Sequence, residues 1–246
     1  VSIPTAPTLG PALLAAPLGA WATNCAVLGD RSRAEAVIVD PGQGADDAVP
    51  ALLEHLGVRP VAILLTHGHL DHLWAAPSLA RGYGIPVHLH PDDAWLWASP
   101  PAAFGPGGDD LAAGFGFAGW DIDGVEVAPL SDGQRLALAG VELTVRHTPG
   151  HTPGHVTFTT SDLAGLPVEL DGRSLDAPDQ VLLAGDLLFA GSIGRTDLAG
   201  GDPAAMMRSL GRTMAEHDDA TLVIPGHGPA TTVGDERGSN PFLEER

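Results

Sequence analysis

Thr66-His67-Gly68-His69-Leu70-Asp71-His72 places four metal-ligand side chains within six positions. With 11 His and 22 Asp in 246 residues, the spacing H-x-H-x-D-H has a chance expectation of about 0.002 occurrences. Imidazoles and a carboxylate at this density suit a metal centre better than a solvated turn. On a helix, residues two apart point in nearly opposite directions, so His67 and His69 cannot share an ion there. In an extended segment they project the same way and can. Asp71 and His72 lie beyond a turn and address a second ion. Two divalent ions about 3.5–4 Å apart share a water, lower its pKa toward neutrality to supply hydroxide, and polarise a carbonyl under attack.

Further ligand types recur downstream. His147-Thr148-Pro149-Gly150-His151-Thr152-Pro153-Gly154-His155 contains the unit HTPG twice; Asp186 follows Ala184-Gly185, and His227 lies in Pro225-Gly226-His227-Gly228. A glycine beside each lets the backbone approach closely and turn sharply. Such residues do chemistry together only if a rigid scaffold gathers them, and strand ends are where scaffolds present chemistry.

The pattern predicts that scaffold. Apolar, β-branched runs closed by polar or Gly/Pro turns read as strands over 34–39, 61–65, 87–89, 136–138, 141–146, 156–159, 181–184 and 222–224. Helices are predicted over 46–56, with Ala48, Leu52, Leu53 and Leu56 on one face, from Pro77, over 92–98, and over 203–217. Each ligand segment directly follows a predicted strand. Runs of strands with helices between them imply packed sheets covered by helices, an α+β class. Two segments read as surface loops: 99–120, with Phe104, Phe115, Phe117 and Trp120, and 160–180, polar and aperiodic. The first either closes over a site or buries its own aromatics. Asp40, in Asp40-Pro41-Gly42, is expected to form a turn, with acceptance of a ligating imidazole's N–H as its alternative role.

Composition narrows the partners. The net charge is −19, with 31 acidic against 12 basic residues, all of them Arg. A phosphate backbone would mostly be repelled, so no nucleic acid is expected. No apolar run of eighteen residues appears, so no membrane span is expected. The first twenty residues are apolar but hold four prolines and no positive charge, which is not a signal-peptide pattern, although the start at Val1 suggests a trimmed chain. The lone Cys25 allows no internal disulfide and fits a reducing cytoplasm. A chain of this length with no linker-like stretch is expected to form a single domain, 1–246, acting on a small-molecule substrate; its oligomeric state is left open.

These motifs resemble the metallo-β-lactamase superfamily, in order, from Asn24 to Pro241. The resemblance implies a four-layer αββα sandwich with metals at one edge and two divalent ions, zinc (Zn) first, with Fe or Mn as alternatives. It assigns His67, His69 and His151 to the first ion, Asp71, His72 and His227 to the second, and Asp186 to both. His147 and His155 are then structural or outer partners, and His55, His88, His90 and His217 ordinary histidines. Within the superfamily, Gly185-Asp186-Leu187-Leu188-Phe189, Gly191-Ser192-Ile193-Gly194-Arg195-Thr196-Asp197, Pro225-Gly226-His227-Gly228-Pro229 and Asn240-Pro241-Phe242 are most similar to single-domain bacterial glyoxalase-II-like proteins.

That likeness implies thioester hydrolysis, with S-lactoylglutathione or a related thiol conjugate as substrate. Asp71 and Asp186 would act as catalytic ligands, and Arg195 would either hold a substrate carboxylate or pair with Asp197. Full-length glyoxalase II enzymes add a basic C-terminal helical domain, and this sequence contains no counterpart and no Lys. The Gly-Arg-Thr-Asp stretch is shared with persulfide dioxygenases, whose single Fe(II) would need only His67, His151 and Asp186. Hydrolysis of a lactone or other ester on the same fold is the further alternative.

Overall fold

The computed structural model describes residues 10–163, 167–175 and 179–243. In chain order it runs β1 (Pro11–Leu18), β2 (Thr23–Asp30), β3 (Glu35–Val39), α1 (Ala45–Leu56), β4 (Arg59–Leu64), α2 (Leu70–Leu73), α3 (Ala76–Tyr83) and β5 (Val87–Leu89). A 3₁₀ turn over Pro91–Asp93 leads into α4 (Ala94–Ala98), and a second over Pro100–Phe104 precedes α5 (Gly108–Gly114). Then come β6 (Val127–Pro129), β7 (Arg135–Leu138), β8 (Val141–His147), β9 (Val156–Thr160), β10 (Val168–Leu170), β11 (Arg173–Leu175) and β12 (Val181–Gly185). The chain closes with β13 (Leu188–Phe189), β14 (Ser192–Ile193), α6 (Pro203–Glu216), β15 (Leu222–Pro225), β16 (Thr231–Thr232) and α7 (Val233–Ser239).

Two large sheets form, ordered β11-β10-β1-β2-β3-β4-β5-β6 and β16-β15-β12-β9-β8-β7, and β13 with β14 makes a separate two-stranded one. Period-two alternation sends one set of side chains between them. Val37, Val39 and Leu64 from the first sheet meet Leu143, Val145, Phe158 and Leu183 from the second. The intervening residues face outward under helices. Ile38, Ile63 and Leu65 pack with Val49 and Leu53 of α1 and Leu79 of α3, while Leu182 and Val223 pack with Met206 and Leu210 of α6. The result is an αββα sandwich of four layers. Because both faces of the inner strands are covered, β2 is buried at all eight positions, with no polar side chain from Cys25 to Gly29.

The predicted strands and helices are present, with end residues moved by one or two positions. The core face of α1 is shifted: Ala45, Val49, Leu53 and Leu56 are buried, whereas Ala48 and Leu52 are only partly so. The segment 160–180, expected to be a loop, instead carries β10 and β11, with β10 pairing parallel to β1 from Leu13↔Val168 to Ala15↔Leu170; residues 164–166 and 176–178 of that segment lie outside the described residues. The segment 99–120 is partly helical. Phe104, Phe117 and Trp120 pack, partly buried, against the core between the first sheet and its helices, and Phe115 stays exposed against Trp21, ring centroids 4.2 Å apart. Among the described residues no helix is long and apolar enough to cross a membrane.

Candidate metal centre

The loops after β4, β8, β12 and β15 open at one edge of the sandwich and bring their ligand-type residues together. After β4 the chain is extended through His69 (φ −70°, ψ 146°), which is the N-cap of α2. His67 and His69 therefore point one way, and Asp71 and His72 enter the first turn of α2 and point another. His151 occupies the turn between β8 and β9. Asp186 follows β12 through Gly185, whose φ of +48° favours glycine. His227 follows β15, and an isolated bridge between Thr23 and His227 ties that loop to the start of β2.

Two sets of side chains result, each with ligand atoms within 4.8 Å of one another, His67, His69 and His151, and Asp71, His72 and His227; a third group of the same reach, His67, His72 and Asp186, links them. His69 Nδ1 lies 2.8 Å from His151 Nε2, and His72 Nε2 lies 3.3 Å from His227 Nε2. Asp186 stands between the sets. Its Oδ2 is 3.3 Å from His151 Nε2 and 3.6 Å from His227 Nε2, and its Oδ1 is 3.3 Å from His72 Nε2.

The outer partners fix which ring nitrogens face inward. His72 Nδ1 donates to Asp40 Oδ2 (2.9 Å), His151 Nδ1 to the Arg195 carbonyl (2.7 Å), and His227 Nδ1 to the Trp21 carbonyl (3.0 Å). Thr66 gives its hydroxyl proton to Asp40 Oδ2 (2.6 Å), so its oxygen accepts from His67 Nδ1 (3.0 Å). In all four rings Nε2 is thus the nitrogen that faces the centre. His67 Nε2 and Asp186 Oδ1 are buried with no hydrogen-bond partner, and His69 turns its Nδ1 inward, toward His151 Nε2. Buried acceptors converging without a donor fit cations, and imidazole with carboxylate is a donor set for first-row divalent metals.

Electrostatics divide the two sets. Burial, reinforced by neighbouring imidazoles, holds His67 well below the ordinary histidine value and His69 at about 3. Both are neutral and ready to ligate at any physiological pH. Burial would also lower His72 and His227, but carboxylates override it: Asp186, Asp71 and Asp40 raise His72 well above its ordinary value, and Asp186 and Asp71 raise His227 to about 9. In return, the imidazoles pull Asp71 down to about 2 against its own burial and hold Asp186 well below the carboxylate range.

An ion at the Asp71/His72/His227 set must therefore displace protons. Because the two histidine values are raised, this competition weakens as pH climbs toward about 9. Dialysis against a fixed free concentration of the ion should show the second ion lost first on acidification from about pH 9 to 6, read by elemental analysis. Parallel loss of both ions across that range would contradict the division.

The remaining sequence-singled residues fall into place. Asp40 has both anticipated roles: its φ of +49° makes the turn, and its carboxylate receives His72 Nδ1 and the Thr66 N–H (2.8 Å). Arg195 binds Asp197 through two 2.7 Å contacts, both side chains exposed, and its backbone carbonyl holds His151. His155 is fully buried behind the centre, where its Nε2 accepts the Asp186 N–H (3.1 Å). His147 stands outside the cluster, stacked on His90 with centroids 4.1 Å apart.

Several contributors escaped the sequence reading. Thr23 Oγ1 donates to Asp71 Oδ2 (3.2 Å). Asn24 clamps the His227 loop by donating Nδ2 to the Pro225 and Gly228 carbonyls, both 2.9 Å. Asp93 binds both the His67–His69 and His151 loops. The glycines flanking the ligands were the available signal, since Gly68 and Gly154 leave room for the segment that carries Asp93.

A four-layer αββα sandwich with a histidine- and aspartate-lined edge defines a metallohydrolase-type enzyme, and this chain belongs to the metallo-β-lactamase superfamily, whose family description matches residues 18–163. It is similar to the hydroxyacylglutathione hydrolase GloC of Haemophilus influenzae, 32% identical over 231 residues covering 94% of this chain and 97% of that one. Among solved structures it is similar to the B3 metallo-β-lactamase BLEG-1, with 33% identity, TM-score 0.73 and coverage of 95% of this chain and 100% of that one. It is also similar to TTHA1623 in a di-iron-bound form, with 36% identity, TM-score 0.70 and coverage of 92% and 98%.

Proposed function

We propose that the chain hydrolyses small thioesters, S-lactoylglutathione or the conjugate of a related thiol, at a centre of two divalent ions. The observation that carries this reading is the convergence of two ligand sets on Asp186. The likeness to a hydroxyacylglutathione hydrolase over almost its whole length supports the substrate class. We assign His67, His69 and His151 to one ion, Asp71, His72 and His227 to the other, and Asp186 to both, within one domain spanning 1–246. Zn is the first candidate, and the di-iron relative supports Fe equally. We place the protein in the cytoplasm, consistent with a single buried cysteine that has no partner for an internal disulfide.

Divalent ions held there would lower the pKa of a water and polarise the scissile carbonyl. The chain's own groups do the rest. Asp71, steadied by Thr23, and Asp186, anchored through its N–H to His155, are the acceptors that orient the attacking water. A thiolate leaving group has a conjugate-acid pKa near 8.5 and needs little protonation. That suits a site whose imidazoles are all engaged as ligands.

Arg195 is the cation we assign to a substrate carboxylate, since its pair with Asp197 is exposed and exchangeable. Arg195→Ala should raise KM several-fold for carboxylate-bearing thioesters and leave kcat and metal content near their starting values. An unchanged KM would confine the side chain to Asp197.

A single-ion oxygenase on His67, His151 and Asp186 would leave Asp71, His72 and His227 gathered to no purpose, so hydrolysis is preferred. The deciding experiment runs three assays side by side: thiol release from thioesters, oxygen uptake with glutathione persulfide, and opening of a β-lactam, included because of the likeness to BLEG-1. Thiol release that is lost in both His67→Ala and His72→Ala is expected. Oxygen uptake surviving His72→Ala but lost in His67→Ala would overturn the reading.

A further inference from the structure

Asp93, in the 3₁₀ turn after β5, is fully buried, and no ion pair among the described residues includes it. Its Oδ2 accepts the Gly68 N–H at 2.9 Å and the Thr152 hydroxyl at 2.7 Å, and its Oδ1 accepts the Gly154 N–H at 2.7 Å. Gly68 separates His67 from His69. Thr152 directly follows His151, and Gly154 lies two residues further on. One carboxylate therefore joins the loop after β4 to the loop between β8 and β9, the two loops that supply every imidazole of the first set.

The fit is close. A Cβ on Gly154 would sit 2.7 Å from Asp93 Cγ, and a Cβ on Gly68 would sit 2.6 Å from Leu96 Cβ. All three partners are donors, so an ionised carboxylate satisfies them, whereas an amide would turn its NH₂ against an N–H. A carboxylate buried without a cation is costly to desolvate, and packing alone would be served as well by an apolar side chain. The same segment braces the second loop again, through the His90–His147 stack and the donation of His147 Nε2 to the Pro153 carbonyl at 2.8 Å.

We propose that Asp93 is the positioning residue of the first metal set, locking the two loops in the register at which His69 Nδ1 and His151 Nε2 meet one ion. It touches neither ion nor substrate. The proposal rests on the metal assignment given above and adds to it the group that holds the ligand spacing.

The test uses the full chain carrying His227→Ala, which breaks the Asp71/His72/His227 set and keeps the His67/His69/His151 set complete. It is loaded with Co²⁺ and challenged with graded chelator, and retained Co²⁺ and its visible absorption are measured. Asp93→Asn should weaken retention roughly 10–100-fold, as loss of an outer-sphere partner does, and should shift the absorption bands. Thr152→Val should weaken it less, roughly three- to tenfold, and Thr152→Ser, which keeps the hydroxyl, should restore it. The Thr152 pair decides the matter if Asp93→Asn does not fold. Retention and spectra equal to the parent in both Asp93→Asn and Thr152→Val would overturn the proposal while leaving the metal reading intact. A parent that binds no Co²⁺ would overturn the metal reading, and this proposal with it.

Discussion

Asp186→Ala should abolish hydrolysis and lower the metal content from about two ions per chain to one or none. Asp186 is the carboxylate that approaches both sets, with His151 Nε2, His72 Nε2 and His227 Nε2 all within 3.6 Å of its oxygens. It is also the carboxylate that does most to raise His72, and the imidazoles return the effect by holding Asp186 ionised despite its burial. Removing it takes the negative charge from between the two ligand sets and leaves their imidazoles facing one another. The loss should therefore exceed the roughly 10–100-fold typical of an outer-sphere partner. The paired measurements are elemental analysis and thiol release on the same preparation. Retention of both ions with more than a tenth of the activity would show that Asp186 does not join the sets.

The centre was far more legible in the sequence than the groups that hold it. His67, His69, Asp71 and His72 announce themselves because their geometry is local: an extended step and then the first turn of α2 decide where each points. Asp186 and His227 were visible because each follows an apolar strand beside a glycine, whereas His151 was singled out of the repeated HTPG unit only by the family resemblance. Asp93 and Asn24 were not visible, because their partners lie 25 to 61 and more than 200 residues away, and a long-range polar contact leaves no periodicity.

Strand β1 was hidden for another reason. Pro11 and Pro17 argue against a strand, yet they pair with Asp30 and Asn24 at its two ends, outside the Leu13–Ala15 stretch that β10 joins. β10 and β11 are three residues each, too short for alternation to show. The aromatic segment 99–120 satisfies part of each expectation. Three of its four rings pack, partly buried, against the core, and Phe115 reaches Trp21, whose carbonyl steadies His227.

The glycine before His227 offers a test in which a single methyl group separates site from scaffold. Gly226→Ala should give a folded chain with impaired metal binding, because a Cβ there would collide with Asp186 Oδ1 and lie 2.8 Å from His72 Cε1. The backbone has no room to withdraw. The Gly226 N–H donates to the Gly185 carbonyl at 2.8 Å, its carbonyl accepts from the Asn24 N–H at 2.7 Å, and Asn24 grips Pro225 and Gly228 on either side. The Asp186 carboxylate must turn aside, and the two sets lose the group between them. The same change at Gly211, in the middle of α6 with nothing within 4 Å of the added carbon, should instead stabilise the chain by about 0.5–1 kcal/mol, since alanine loses less backbone freedom in a helix. Elemental analysis and thermal unfolding of the two variants should therefore diverge: metal content falls in Gly226→Ala, and the unfolding temperature rises in Gly211→Ala with full metal content. A Gly226→Ala chain holding both ions would mean that the Asp186 carboxylate has freedom this geometry denies it.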